Sequence, residues 1–498
     1  MMRKKKMHEV FKWKNIFSLL IVVTMLITLV ACEERTVGEK SDSVTGSDEI
    51  KQHEVDFTEE LVVFYEGERW SGDLLTEFIG QHPEIKIAAY PLQADEERKE
   101  DIEYYKLPDT VKRYGDPDII LINTIASLNQ IGSWYQEGHI GDFATFLAED
   151  LTLNTDEYVG GTFEVFKKQD AIMGLPLSWE TRCMVIRDAY WTNQDLSVLE
   201  EDYTGKELIN ILNIELKKAG SENHTFWMND AFDLSELLYK LDLIKEDNEE
   251  FAIEEEAFES AYSFAMVKRA VESYVEKTYV GNIVDSKLNP INYGIEAKHL
   301  GCSFWGAPQS TAMHAKSIAA TEGQSVQLWW MPTYESSDEY IGQVRDTVLL
   351  GGNSSRQKQA YEVIRMMMDT SVRTINQPED SLHRYSPVNI ESALQMLELY
   401  NDALKNNVEN QELSEEEKEQ IRQVIYGIQD LYFFSEQCDD IAGVTEMYSS
   451  YYDQMHLMEY EKDEYRLCYY EVMRALNPDS DKWNLSPEEV EMFVKGEK

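Results

Sequence analysis

Cysteine is scarce, with five in 498 residues, and a chain this size cannot be held together by so few as a disulfide scaffold. No CxxC or HExxH spacing occurs and the nine histidines are scattered, so the patterns of structural zinc sites and zinc proteases are missing. A GxSxG nucleophile turn is absent as well, which removes the most readable hydrolase signature. Positive charge is in short supply. The 46 Lys and Arg stand against 93 Asp and Glu, for a net charge of -47, and such a surface repels nucleic acid, anionic lipid and cell-wall polyanions. Long apolar runs are also lacking. The stretch Ile16 to Ala31, interrupted by Ser18, Thr24 and Thr28, is shorter than the ~20 residues that span a bilayer as a helix. No internal repeat is visible.

Against these absences stands a hydrophobic content of 43%, ample for packed cores, in a chain long enough for two or three domains. The N-terminal stretch is the most specific signal. Arg3, Lys4, Lys5, Lys6, Lys12 and Lys14 precede the apolar run, which ends in Leu29-Val30-Ala31-Cys32. Cationic, apolar and small-residue segments in that order read as a secretion signal. The last four residues resemble the lipobox of bacterial lipoproteins. That resemblance implies a signal peptide over 1–31, acylation of Cys32 with more than one chain, and a body held outside the membrane. Removing 1–31 leaves 40 basic and 92 acidic residues, a net of -52. Residues 32–56, rich in Glu, Ser, Asp, Lys and Gly, cannot bury enough surface to offset ordering and read as a flexible acidic tether. Of the remaining cysteines, Cys183, Cys302, Cys438 and Cys468 allow three pairings or four free, buried thiols.

The body begins near Phe57. Leu61-Val62-Val63-Phe64-Tyr65 has the apolar, β-branched and aromatic content of a buried strand. Leu74, Leu75, Phe78 and Ile79 repeat at helical spacing until His82-Pro83, and Ile85 to Tyr90 supplies a second strand. Strand, helix, strand predicts a parallel pair. Ile119-Ile120-Leu121-Ile122 is a further strand, followed by a helix with Leu128, Ile131 and Tyr135 on one face.

Here the chain resembles the maltose-binding type of extracellular solute-binding protein, the ligand-capturing subunit of ABC importers. Gly115-Asp116-Pro117-Asp118-Ile119-Ile120-Leu121, Gly138-His139-Ile140-Gly141-Asp142-Phe143, Gly174-Leu175-Pro176 and Ser386-Pro387-Val388-Asn389 are similar to motifs of that family in the family's order. Ile186-Arg187-Asp188 departs from the Tyr-Asn-Lys that many members carry. The resemblance covers most of 57–390. It implies an α/β, two-lobed periplasmic-binding-protein-like fold with a hinge between lobes and a helical C-terminal part. The expected division is 57–178 plus 301–350 for the N-terminal lobe and 179–300 plus 351–498 for the C-terminal lobe. Residues 188–300 read as mostly amphipathic helix. The last hundred residues read as all helical, with Ser414 to Glu417 a capping box and Ile421, Val424, Ile425, Ile428 and Leu431 on one face.

Ligands of two-lobed α/β proteins lie where strand ends and helix N-termini converge. The loops at those ends hold Glu66, Glu68 and Trp70, then Asn123 and Thr124, then Trp179, Glu180 and Arg182, then Phe304 and Trp305. Aromatic faces with hydrogen-bonding groups suit a sugar, whose ring offers C–H faces and hydroxyls. Each residue also has a plain structural reading: a Trp among ten is often core, and Glu66 and Glu68 are two acids among many. The expectation is a binder of a small solute, most of all an oligosaccharide. It would be a monomer without cofactor or metal, partnered by permease subunits and by the membrane through its lipid. An exported glycosidase-like enzyme, or a ligand-sensing lipoprotein coupled to a membrane receptor, is the alternative.

Overall fold

The computed structural model describes residues 59–496 apart from 67–68, 93–104, 188–202, 223–233, 248–249, 280–300, 322–325, 370–384, 408–411, 434–440, 442, 445–461 and 479. The signal peptide, Cys32 and the tether expected from the sequence lie outside the described residues, as does Glu68. No helix among the described residues is long and apolar enough to cross a membrane.

The chain opens with β1 (Leu61–Tyr65), α1 (Arg69–Gln81), β2 (Ile87–Pro91), α2 (Leu107–Tyr114) and β3 (Ile119–Ile122). Both β2 and β3 pair with β1 in parallel. Parallel strands are covered on both faces, and all four residues of β3 are buried. Two short helices follow, α3 (Ile125–Leu128) and α4 (Ile131–Gln136), where the sequence predicts one. After α5 (Ala144–Glu149), the hairpin strands β4 (Lys167–Lys168) and β5 (Ala171–Ile172) and the short β6 (Leu175–Pro176), the chain enters β7 (Ser178–Arg187).

The next part is α6 (Gly205–Glu222), α7 (Leu234–Lys240), the hairpin β8 (Lys245–Asp247) and β9 (Glu250–Ala252), and α8 (Glu255–Tyr279). Among the described residues of this part the hairpin stands between helices. Then come β10 (Gly301–Gly306), α9 (Pro308–Thr321), β11 (Val326–Trp330), β12 (Tyr340–Val344) and β13 (Thr347–Leu350). The chain finishes with α10 (Gln357–Met368), β14 (Ser386–Pro387), α11 (Ile390–Asn407), α12 (Glu415–Tyr426), β15 (Ile428–Tyr432), α13 (Lys462–Leu476) and α14 (Pro487–Val494).

Two sheets carry the architecture. The first has the order β2-β1-β3-β13-β6; in the second, β10-β7-β12-β15, both β11 and β14 also pair with β7. The expected division of 301–350 is corrected here. Strand β10 pairs with β7 over Thr181–Ile186 and β11 pairs with it over Cys183–Arg187, while only β13 joins the first sheet. An apolar strand advertises burial but not its partner, and the ten-residue β7 is long enough to pair with β10, β11, β12 and β14. Nor does 351–368 return to the second sheet: α10 packs on β13 and its Tyr361 and Arg365 bond to Asp150. The all-helical C-terminus is corrected too. Ile428 and Leu431 lie on β15, parallel to β12, because α12 stops at Gly427. The capping box at Ser414 and Glu417 is present, and Ile421, Val424 and Ile425 are buried.

Strand parity divides the cores. Leu328 and Trp330 of β11 belong to a large apolar cluster that runs from the first sheet through Leu175, Leu177 and Trp179 onto one face of the second. Trp329 and Met331 point the opposite way into a second cluster built by α6, α7, α8, α13 and Trp483. Alternation along a strand produces this split, and each fully buried large side chain contributes about 1.5–3 kcal/mol. Cys183 and Cys468 are both buried, one in each cluster.

Candidate functional site

Three passages of chain run side by side between the sheets. The first is Leu177-Ser178, between β6 and β7; the second is Arg345-Asp346, between β12 and β13; the third is β14 and the residues after it. Leu177 N–H donates to Asp346 O at 2.7 Å, Arg345 N–H to Ser178 O at 3.0 Å, and Val388 N–H to Leu177 O at 3.1 Å. Ser178 Oγ donates to Asp346 Oδ2 at 2.6 Å and accepts from Asp346 N–H at 3.0 Å. Burial raises the Asp346 carboxyl above its ordinary range, outweighing the opposing pull of Ser178, Arg345 and Asn123.

The end of the first sheet meets this junction. Glu66, just past β1, is fully buried. Its Oε2 accepts from the N–H groups of Asn123 and Thr124 at 2.7 and 2.8 Å, and Oε1 accepts from Thr124 Oγ1 at 3.0 Å. A carboxylate placed there satisfies backbone donors at the entry to α3. Burial nevertheless dominates and pushes its carboxyl up to about 7, against the lowering effect of Ser127, Asn123 and Thr124. Asn123 and Thr124 are half-buried. Of the residues expected from the sequence, Glu66, Asn123 and Thr124 thus form one connected group.

On the second sheet, Glu180 is 2% exposed and pairs with the Arg345 Nη2 nitrogen. The Arg345 guanidinium lies 5.4 Å from the centre of the Tyr385 ring. Its acidity falls still further below normal: burial alone would make it easier to deprotonate, but Glu180 and Tyr385 outweigh that and raise the pKa. Gln343 is registered opposite both Glu180 of β7 and Tyr432 of β15. The Tyr432 ring stacks on Tyr239 at 5.4 Å with an interplanar angle of 11°, and Lys240 Nζ lies 5.5 Å from it.

Trp179 does not belong to the solute-facing set that the sequence suggests. It is fully buried and its indole N–H donates to Pro387 O at 3.0 Å. Strand parity turns it away from the face that carries Glu180, into the apolar cluster. Trp70 lies on α1, and Arg182 is registered opposite Trp305, with Phe304 one residue earlier on β10. Sequence reading missed Arg345, Asp346, Gln343, Tyr385 and Tyr432. One signal for the first two was present: Arg345-Asp346 is a charged break between two apolar strands.

No protein-family profile matches the chain, and no curated protein matches it. Solved structures do. The sugar-binding protein MalE from Xanthomonas citri aligns with a TM-score of 0.55 at 12% identity, over 84% of this chain and 98% of that one. A Rhizobium etli sugar transporter in an open conformation gives 0.55 at 11% identity, over 85% and 100%. The galacto-N-biose-/lacto-N-biose I-binding protein of the ABC transporter from Bifidobacterium longum, in complex with lacto-N-biose, gives 0.51 at 13% identity, over 87% and 100%. Two sheets joined by three adjacent passages and near-complete coverage of each neighbour give one conclusion: the chain has the two-lobed fold of the MalE-like extracellular solute-binding proteins.

Proposed function

We propose that this chain is a lipid-anchored extracellular solute-binding protein that captures a carbohydrate between its lobes and delivers it to an ABC import permease. The observation that carries the reading is the junction itself. Three passages bonded to one another at Leu177, Ser178, Arg345, Asp346 and Val388 make a narrow base, and polar groups from both sheets gather beside it. A solute touched by both lobes only when they approach stabilises the closed form, and a permease recognises that form. The sugar-binding neighbours support carbohydrate as the solute class. Glu66, Asn123, Thr124, Glu180 and Arg182, with Phe304, Trp305, Trp70 and Glu68, make up the proposed contact set. Cys32 carries the lipid.

The test is direct. Mass spectrometry of material that copurifies with the protein identifies the solute. Small-angle scattering with and without it then reads closure as a smaller radius of gyration. A solute that binds with no change in that radius would defeat the hinge mechanism. Labelling with radioactive palmitate should mark the parent and spare Cys32→Ser.

A further inference from the structure

The face of the second sheet that packs against α7 bears a polar row. Tyr432, Gln343 and Glu180 are register partners across β15, β12 and β7, and partners across a sheet share a face. Arg345 lies two residues beyond Gln343 and so continues the row toward the junction. One end of the row is closed by the Tyr239 ring on Tyr432, the other by Tyr385 beside Arg345.

In this row Gln343 and Arg345 each carry a buried polar atom without a hydrogen-bond partner. Gln343 is 2% exposed, yet its Oε1 accepts no hydrogen bond. Arg345 gives one nitrogen to Glu180, while its buried Nε–H donates to nothing. Buried polar groups are almost always paired, because each unpaired one sacrifices its hydration. The position is otherwise well organised, so these unmet hydrogen bonds are a cost retained in the folded state. An idle acceptor on Gln343 and an idle donor on Arg345, two residues apart so that their Cα atoms are about 7 Å apart, match a molecule whose groups both donate and accept. Hydroxyls do this. A carboxylate solute could not donate to Gln343 and would face Glu180; an ammonium would face Arg345. Pairing of Glu180 with Arg345 leaves the row with little net charge.

We propose that Gln343 and Arg345 read separate hydroxyls of a neutral saccharide, forming the second lobe's share of the binding site beside the Tyr239 and Tyr432 rings. This rests on the carbohydrate-binding reading above and adds the residues that would select the sugar.

The test uses the full-chain protein, a panel of neutral glucose-, galactose- and mannose-based di- and trisaccharides, and singly deoxygenated versions of whichever binds. Gln343→Met removes the acceptor at nearly constant volume, and Arg345→Lys keeps the charge beside Glu180 but loses the Nε–H. Affinity is read by titration calorimetry and the melting temperature of the unliganded protein by scanning calorimetry. Each variant should bind about ten- to a hundredfold more weakly, the scale of one lost hydrogen bond to a polar site. Gln343→Met should melt at the same temperature as the parent or higher, since it removes an unpaired buried group. One deoxy sugar should bind the parent poorly and Gln343→Met no worse than the complete sugar does. Parental affinity in both variants, or a deoxy penalty that is the same in parent and variants, would overturn the assignment while leaving sugar binding intact. Failure of the parent to bind any saccharide would instead remove the carbohydrate reading and this inference together.

Discussion

Ser178 and Asp346, 168 residues apart in the chain, hold each other through two hydrogen bonds: the serine hydroxyl donates to Asp346 Oδ2 at 2.6 Å and accepts from Asp346 N–H at 3.0 Å. Both residues are buried. The pair fastens two of the three passages between the sheets to each other.

Ser178→Ala takes away a donor and an acceptor at once and leaves Asp346 with unmet polar groups in a buried place. The expected loss is about 1–3 kcal/mol, read from the midpoint of urea unfolding at unchanged slope. A variant as stable as the parent would show that the junction is held by its backbone bonds alone.

Trp179→Ala is expected to cost about 3–5 kcal/mol, as for other large buried side chains cut back to Ala. Its ring is fully buried and its indole N–H bonded to Pro387. Thermal unfolding should drop accordingly, and below the new transition the protein should still bind its solute. Undiminished stability with lost binding would return Trp179 to the solute-facing set.

Glu66 makes stability depend on pH in the direction opposite to an ordinary paired carboxylate. Its carboxyl is raised from 4.5 to about 7 in the folded protein, so between those values the folded state holds the proton more tightly than the unfolded state. The associated stability is complete below about pH 4.5 and is lost as pH rises through about 7. At about 1.4 kcal/mol per unit this amounts to about 3 kcal/mol. Glu66→Gln should flatten the fall in melting temperature across that window. An identical pH profile for parent and variant would show that Glu66 does not bind this proton.

Gly160 lies against β15. Its N–H donates to Ile428 O at 2.9 Å, and a Cβ there would stand 2.2 Å from Gln429 O. Gly160→Ala must push the two backbones apart. A loss of about 1–3 kcal/mol is expected, the usual cost of overpacking, together with faster hydrogen exchange at Gly161 and Thr162. Exchange rates equal to the parent's would mean that the contact is loose.

Some of the fold was legible because its cause is local. The strand at Ile119–Ile122 announces itself by four consecutive apolar residues, and the start of α12 by Ser414 and Glu417 three residues apart. Trp329 and Trp330 face opposite cores, as alternation along a strand requires. Sheet membership was not legible. Nothing within 301–344 says that its strands will add to β7, since a strand's partner is chosen by the surfaces other segments present. The same holds for the end of α12, where the apolar pattern continues unbroken from helix into β15.

The candidate site divides in the same way. Glu66, Asn123 and Thr124 could be picked out as polar groups at predicted strand ends. Arg345 and Gln343 could not, because no spacing marks one arginine as the partner of a glutamate 165 positions away.

By itself the sequence determined an acidic body with real cores, a family resemblance that implied a two-lobed α/β fold, and the local elements whose periodicity and caps are written in neighbouring residues. Only the tertiary structure decided which strands share a sheet, that Trp179 faces inward, and that Glu180, Gln343 and Arg345 stand in one row. Local elements follow from interactions a few residues apart, whereas a site is made by contacts between distant segments whose energies depend on how the whole chain packs.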